Sequence, residues 1–464
     1  MYFIKNFKIP ITNVLVAISA ITFALSFICK EYLYFFVFIF LVPIFFLAFK
    51  YPKYLSFKHG FLWGLIFFLI HFSGYVFMFN NHANGSFRLL IPVFIAIYCA
   101  LYSGVWFFLA NLFSKYFKYK SLAIFFSWAI FSYLYFIWIK YGVFCVFGEF
   151  FGYPFSYPLL PMASKVSNLY FLSFFGKSAF LVFVILFSQF IALFLIYFKK
   201  KYFICAIVFL VPFVFGNFFS GYNNKYKNFI FKKENFGYIN PVSAQEFERP
   251  IDYAQEIYYK MVDLLRKKPE IKAIVMPESS CQFCLNKHKF VIDLWTKNIL
   301  HNNVDLFIGA PYQEGVKIYN ALYYISCGKI KKIYKKINLM PFAEYVPKFW
   351  NNFECFKKLF FQDSGFCCGC DKKVIFNYCE NITFRPLICS DFFTIKKRDS
   401  NCFFNSSNET LLLPVNDSIF QANYLRDLML LHAKLEAARF GINILYVGYY
   451  FLAFISRDGN HIII

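Results

Sequence analysis

Charge is what this sequence has least of, and acidic charge above all. Charged residues make up 16% of the chain, with 25 Asp and Glu against 48 Lys and Arg. A water-soluble domain of this length covers its surface with more charge than that, so much of the chain must face lipid. The formal charge of +23 would suit a nucleic-acid binder. However, the lysines of the first half stand in short clusters between apolar runs, which is the pattern of membrane topology. Acidic lipid head groups are therefore the expected partners of this charge, and nucleic acid is not. Histidine is also scarce, at 7 residues, and none stands at ligand spacing from a cysteine. What the chain has in excess is Phe and Tyr, 72 and 35 residues, within a hydrophobic fraction of 59%.

A bilayer crossing takes about 20 apolar residues, and seven stretches qualify: Pro10–Cys29, Tyr32–Phe49, Gly60–Phe79, Leu89–Phe113, Ser121–Ile139, Phe180–Phe198 and Tyr202–Ser220. The first lacks a small-residue cleavage site and leads straight into the second, so it reads as a retained helix rather than a signal peptide. Lys5 and Lys8 precede span one, Lys50, Lys53 and Lys58 follow span two, Lys115, Lys118 and Lys120 follow span four, and Lys199, Lys200 and Lys201 follow span six. The alternate loops are poor in lysine; Lys30 is offset by Glu31. By the positive-inside rule the N-terminus is cytoplasmic, and seven crossings put everything after Ser220 outside. The aromatic, proline-bearing stretch Gly148–Met162 reads as an interfacial segment or as part of a lipid entrance.

After Gly221 the character changes. A polar, basic linker covers Asn223–Glu234, and from about Phe236 short apolar runs alternate with amphipathic ones. Ala273–Met276, Asp305–Gly309, Phe384–Ile388, Thr410–Pro414 and Ile442–Val447 read as buried strands; Asp252–Arg266, Val291–His301 and Ile419–Arg439 read as helices. Asp458-Gly459, within Ser456–Asn460, is a hairpin turn signal. The alternation argues a layered α/β domain over residues 223–464, behind a helical membrane domain over 1–222. Three polar groups follow β-like runs: Glu278 in MPES and Cys389 in LICSD end apolar ones, and Lys336 in YKKINLMPFAEYVP stands just after a more polar one. Strand ends are where α/β sheets place their chemistry, and three such ends are what a nucleophile, a base and a cation would need to converge; a Glu, a Lys and a Cys occur in almost any domain, so the pattern alone names no reaction.

These motifs, in this order behind a multi-span region, resemble the apolipoprotein N-acyltransferases, which are nitrilase-superfamily domains on a membrane bundle. Lys336 is chosen over Lys335 and Lys332 because Pro341-Phe342-Ala343-Glu344 follows it at the family's spacing. The resemblance implies an extracytoplasmic nitrilase-like α-β-β-α sandwich after the seven helices. It implies a Glu278-Lys336-Cys389 triad, with Glu344, Asp391 and Ser390 in support, and neither metal nor cofactor. Glu278 would be the general base, Cys389 the nucleophile that forms a thioester intermediate, and Lys336 the oxyanion partner. The acyl donor would be a phospholipid, and the acceptor the α-amine of a diacylglyceryl-cysteine on an apolipoprotein. A monomeric multi-pass enzyme of the bacterial inner membrane, its catalytic domain periplasmic, is expected. Departures from the family are Cys389-Ser390-Asp391 for Cys-Tyr-Glu, Ala343 for Gly, and Asn416-Asp417-Ser418-Ile419-Phe420 for a run with Trp in its place. The chain also stops soon after the Asp458-Gly459 turn, short of the family's final strand and final membrane helix.

Fourteen cysteines invite other readings. Cys29, Cys99, Cys145 and Cys205 lie in or beside apolar runs, where a thiol behaves as a small hydrophobe. Cys281 with Cys284, and Cys367 with Cys368 and Cys370, leave open disulfides, free thiols or a four-thiolate metal site. Cys355 and Cys367–Cys370 fall where the family places a lid. The rival functional readings are another membrane-tethered nitrilase-type amidase or acyltransferase, and a decayed lipid-binding scaffold. A transporter is disfavoured, because no span carries paired intramembrane charges.

Overall fold

The computed structural model describes residues 10–52, 55–74, 87–117, 122, 126–127, 160–222, 235–241, 249–340, 344–345, 365–371, 374–379, 382–394, 409–419 and 423–463. The chain divides into two compact units, one of Met1–Tyr222 with Phe420–Leu435 and one of Asn223–Ile419 with Glu436–Ile464.

The first unit is helical: α1 (Ile11–Ile28), α2 (Phe57–His71), α3 (Phe87–Tyr116), α4 (Val166–Tyr197) and α5 (Lys200–Tyr222). Helices α2 and α3 touch backbone to backbone. A Cβ on Gly60 would stand 2.4 Å from Ser103 O, and one on Gly64 2.8 Å from Ala100 Cα. Small residues four apart allow this approach where lipid supplies no hydrophobic drive between helices. Polar side chains add ties: Trp63 Nε1 donates to Ser19 Oγ at 2.9 Å, and Ser19 Oγ donates to Phe40 O.

Among the described residues three helical stretches are long and apolar enough to cross a membrane: Ile11–Ile28, Val93–Tyr116 and Ala179–Tyr197. Seven were expected. The predicted span Tyr32–Phe49 is broken into Lys30–Leu33, Phe36–Ile39 and Val42–Lys50. Pro43, which has no N–H to give to an upstream carbonyl, sits at the start of the last piece. The predicted span Gly60–Phe79 yields the 15-residue Phe57–His71, and residues 75–79 lie outside the described set. Most of Ser121–Ile139 and of Gly148–Met162 lies outside it too. Tyr202–Ser220 is helical within α5, which contains Pro212.

The second unit holds two mixed sheets. In the first, β1 (Phe236–Tyr238), β2 (Ala273–Val275) and β3 (Asp305–Glu314) run parallel, and β4 (Lys317–Ser326) and β5 (Lys329–Lys335) follow antiparallel. In the second, β7 (Ile382–Pro386), β8 (Glu409–Pro414) and β9 (Asn443–Val447) run parallel; β6 (Phe376–Cys379) flanks one edge, and β10 (Leu452–Ile455) and β11 (His461–Ile463) the other. The hairpin at Asp458-Gly459 forms as its sequence signals, with Gly459 at φ 83°. A short strand, β11, follows it, where the sequence reading had none.

Alternation along the strands decides what each face meets. Ile274 and Met276 of the β2 region and Leu306 and Ile308 of β3 bury against α6 (Pro250–Lys267) and α7 (Lys289–Asn302), through Ile257, Met261, Val291 and Trp295. The opposite face meets the second sheet. Phe307 lies 5.4 Å from Phe384, and Tyr324 5.6 Å from Phe376, between ring centroids. The described layers are thus helices, sheet and sheet. A further helix, α8 (Asn423–Phe440), connects β8 to β9, and its residues up to Leu435 group with the first unit.

Candidate active site

Four chain segments end side by side in the second unit. Strand β2 runs into Met276-Pro277-Glu278, β5 into Lys336, β7 into Leu387-Ile388-Cys389, and β8 into Val415-Asn416. Gly309 makes the first of these possible. A Cβ there would lie 2.4 Å from Pro277 O and 2.7 Å from Glu278 Cα, so only glycine lets that turn cross β3. The backbone departs from ordinary geometry beside two of the reactive groups. Ser279 has φ 55° and Cys389 φ 42°, a region that costs a non-glycine residue roughly 1 kcal/mol or more and that recurs at functional turns.

The period of β5 selects the lysine. Tyr334 and Lys336 turn inward and are buried. Lys335 turns out to Glu314 at 2.7 Å and lies over the Tyr319 ring, and Lys332 donates to Ile375 O. Lys336 Nζ stands 2.7 Å from Glu278 Oε1 and 2.8 Å from Glu344 Oε2. Burial pulls its ammonium down, but the two carboxylates, with Cys389 and Asp391, overcome that and hold it well above the usual lysine range. An ammonium has three N–H donors; these two contacts leave one for a third acceptor.

Asn320, buried in the middle of β4, bridges both acids: Nδ2 donates to Glu278 Oε1 at 2.8 Å and to Glu344 Oε1 at 2.6 Å. The sequence reading missed it. The signal was an asparagine inside an otherwise apolar and aromatic strand, where a buried amide needs partners. Asn416 N donates to Glu278 Oε2 at 2.9 Å and Met340 N to Glu344 Oε2 at 2.7 Å. Both carboxylates are therefore fixed in position by neutral donors as well as by the lysine.

Cys389 is buried, and Glu278 and Lys336 are the charged groups that act on its thiol most strongly. Burial pushes the thiol well above its usual value, the Glu278 carboxylate adds to this, and Lys336 opposes it. At rest the sulfur keeps its proton near a carboxylate, so the thiolate appears only as that proton moves. The structure thus brings the three predicted catalytic residues into one constellation, with Glu344 on the same ammonium.

Asp391 and Ser390 hold the cysteine turn against the lysine turn. Asp391 Oδ1 accepts from Asn338 N at 2.6 Å and Ile337 N at 3.1 Å; its Oδ2 accepts from Tyr334 Oη at 2.9 Å and Ile388 N at 3.3 Å. Ser390 Oγ donates to Asn338 O at 2.6 Å. Burial raises the Asp391 carboxyl to about 6, against the pull of Lys336 and these donors. Both residues therefore tie the two turns together.

The segment 365–371 packs along the same edge: Gly369 N donates to Lys336 O at 2.8 Å, and Phe366 N to Glu344 O at 2.9 Å. Cys281, Cys284, Cys367, Cys368 and Cys370 are free thiols, and no cluster of three or more His, Cys, Asp or Glu placed to hold a metal occurs among the described residues. Cys355 and Pro341-Phe342-Ala343 lie outside those residues.

No family model matches the chain. Among curated proteins it is 35% identical over 144 residues to apolipoprotein N-acyltransferase 2 of Treponema denticola, covering 29% of this chain and 27% of that one. It is 27% identical over 157 residues to the apolipoprotein N-acyltransferase of Aquifex aeolicus, covering 32% and 34%. The matched segments thus span about a quarter to a third of those relatives. Among solved structures, a carbon-nitrogen hydrolase of Helicobacter pylori aligns over 49% of this chain and 82% of its own, at 12% identity and TM-score 0.36. A nitrilase-superfamily member of Saccharomyces cerevisiae aligns over 46% and 79%, at 12% identity and TM-score 0.34. The family that the three motifs resemble is thus also the family whose curated members this chain is similar to.

Proposed function

We propose that the chain is a membrane acyltransferase that moves an acyl chain from a phospholipid, through a thioester on Cys389, to the α-amine of a diacylglyceryl-cysteine at a lipoprotein N-terminus. The observation that carries this reading is the buried Cys389-Glu278-Lys336 constellation in a chain that also has membrane-length apolar helices. The similarity to proteins named apolipoprotein N-acyltransferases supports the choice of substrates.

Glu278 accepts the Cys389 proton as the sulfur attacks the ester carbonyl. The carbonyl oxygen becomes an oxyanion and takes the third N–H of Lys336, which burial keeps out of competition with water. Collapse breaks the C–O bond, Glu278 returns its proton to the departing glycerol oxygen, and a lysophospholipid leaves. The acceptor amine then attacks the thioester, giving its proton to Glu278, and the sulfur leaves and regains it. The outcome is an amide and a free thiol, with no net change in the protein. Glu344 also holds the ammonium, so that Lys336 stays charged when Glu278 is protonated in mid-reaction.

The same reading puts the N-terminus in the cytoplasm and the second unit on the outer side of the inner membrane. The test is to incubate the full-length protein with phospholipid labelled in its acyl chain and a diacylglyceryl-cysteinyl peptide. Labelled peptide together with lysophospholipid is expected. Release of free fatty acid at the same rate with or without peptide would instead make the chain a hydrolase.

A further inference from the structure

Within the first unit, three lysines from distant parts of the chain gather around α8. Lys30 follows α1, Lys165 precedes α4, and Lys434 lies on α8 itself. Lys30 is buried and answered by Asp427 at 2.6 Å, and its carbonyl accepts from Ser164 Oγ at 3.3 Å. Lys165 is exposed, with its ammonium 5.8 Å above the Tyr34 ring. Lys434 stands two turns beyond Asp427 on the same helix, is only 3% exposed, and makes no hydrogen bond or ion pair with any described residue. The acid within electrostatic range, Glu31, is exposed and out of direct contact, and Lys165 opposes it.

An ammonium drawn part-way out of water with no acid in contact is costly, and proteins keep one where something supplies the missing charge. Burial draws Lys434 down to about 8, with Glu31 partly restoring it and Lys165 lowering it further. At neutral pH it still carries its proton. The surroundings narrow the anion. Tyr32 and Phe35, beside Lys30 and Tyr34, are large and exposed, at 81% and 46%, and the unit is built of apolar helices. Lysines with aromatic rings at helix ends mark the level of lipid head groups. A soluble anion would gain nothing from the exposed rings, whereas a phosphate bearing acyl chains meets both features.

We propose that Lys434, together with Lys165, binds the phosphate of a glycerophospholipid. Binding goes beyond the acyl-transfer reading, since it needs no turnover. A failure of one therefore leaves the other standing.

The test uses the full-length protein in detergent micelles, and reads affinity from the rise in Tm as phosphatidylglycerol is added. Lys434→Met, of similar length, is expected to bind at least about tenfold more weakly, as loss of one member of a buried charge pair does. Lys434→Arg keeps the affinity, and Lys165→Gln loses less, being exposed. Without lipid, Lys434→Met should melt no lower than the parent. Should it melt lower, Lys434→Gln read against Lys165→Gln gives the same comparison. Diacylglycerol, which has the chains but no phosphate, should not raise Tm in a way that depends on Lys434. Protection by inorganic phosphate equal to that by phosphatidylglycerol would keep the phosphate site but overturn its assignment to a lipid. Equal binding of phosphatidylglycerol by the parent and Lys434→Met overturns the proposal.

Discussion

Two buried lysines, one in each unit, meet opposite surroundings. Lys336 touches two carboxylates and is held well above the usual lysine range; Lys434 touches none and is drawn down to about 8. Burial is the largest single influence on both, and it acts in the same direction on both. Partners, not depth, decide whether a buried ammonium is a fixed part of the architecture or an open valence. In the second unit Lys336, Glu278, Glu344 and Asn320 form a set satisfied from within. Only one lysine donor and the sulfur proton are left over for chemistry. In the first unit the set is left incomplete.

The sharpest way to break this contrast is to delete each ammonium in turn. Lys336→Met leaves Glu278 and Glu344 buried without a cation. It should cost about 3–5 kcal/mol of stability, as removal of one partner from a buried ion pair does. Acyl transfer should fall on the order of 1000-fold through loss of the oxyanion donor. Lys434→Met should cost no stability. Thermal unfolding of both variants, with labelled turnover of the first, checks this. If the two variants lose equal stability, partners are not what separates them.

Next in size is Glu278→Gln, which keeps the shape and removes the base. Turnover should fall about 100- to 10,000-fold, within the range for general-base catalysis. Circular dichroism should be unchanged. A smaller effect is expected at Asn320→Leu, which strips one donor from each of two buried carboxylates. A cost of about 1–3 kcal/mol follows, measured by the shift in Tm, and turnover should fall less than in Glu278→Gln.

A further effect depends on pH and leaves turnover at neutral pH aside. Asp391 has a carboxyl raised from 3.8 to about 6, so between those values the folded state holds a proton that the unfolded state has released. Stability from this group is therefore fully present below about pH 4 and declines as pH rises through 6, by about 3 kcal/mol at about 1.4 kcal/mol per unit. Asp391→Asn should flatten that slope. Tm measured from pH 4 to 7 for parent and variant reads the difference directly.

The contrast between the units also marks what the sequence could disclose. The strand ends carrying Glu278, Lys336 and Cys389 were legible because buried strands are short apolar runs, and polar residues just past them stand out. The strand β4, and the turn that joins it to β5, were not. That turn is Cys327-Gly328, with φ 49° and 71°, rather than the usual Asn-Gly, and a register shift at Tyr324/Ile325 disrupts the period-2 pattern that would have shown the strand. Asn320 was lost with it. In the first unit, uniform hydrophobicity hides where a helix breaks, so Tyr32–Phe49 read as one span although Pro43 restarts it. The open valence of Lys434 was invisible for another reason. Its neighbours Glu31 and Lys165 lie hundreds of residues away in sequence, and only packing shows that none of them pairs with it.

The central claim is that the sulfur of Cys389 takes the acyl chain while Glu278 takes its proton. Peptide-resolved mass spectrometry, after the full-length protein has met labelled phospholipid without acceptor, tests it directly. The account predicts a hydroxylamine-labile acyl mass on the Cys389 peptide, absent from Cys389→Ala and strongly reduced in Glu278→Gln. Label on another residue, or a Cys389 adduct that forms at the parental rate in Glu278→Gln, would contradict it.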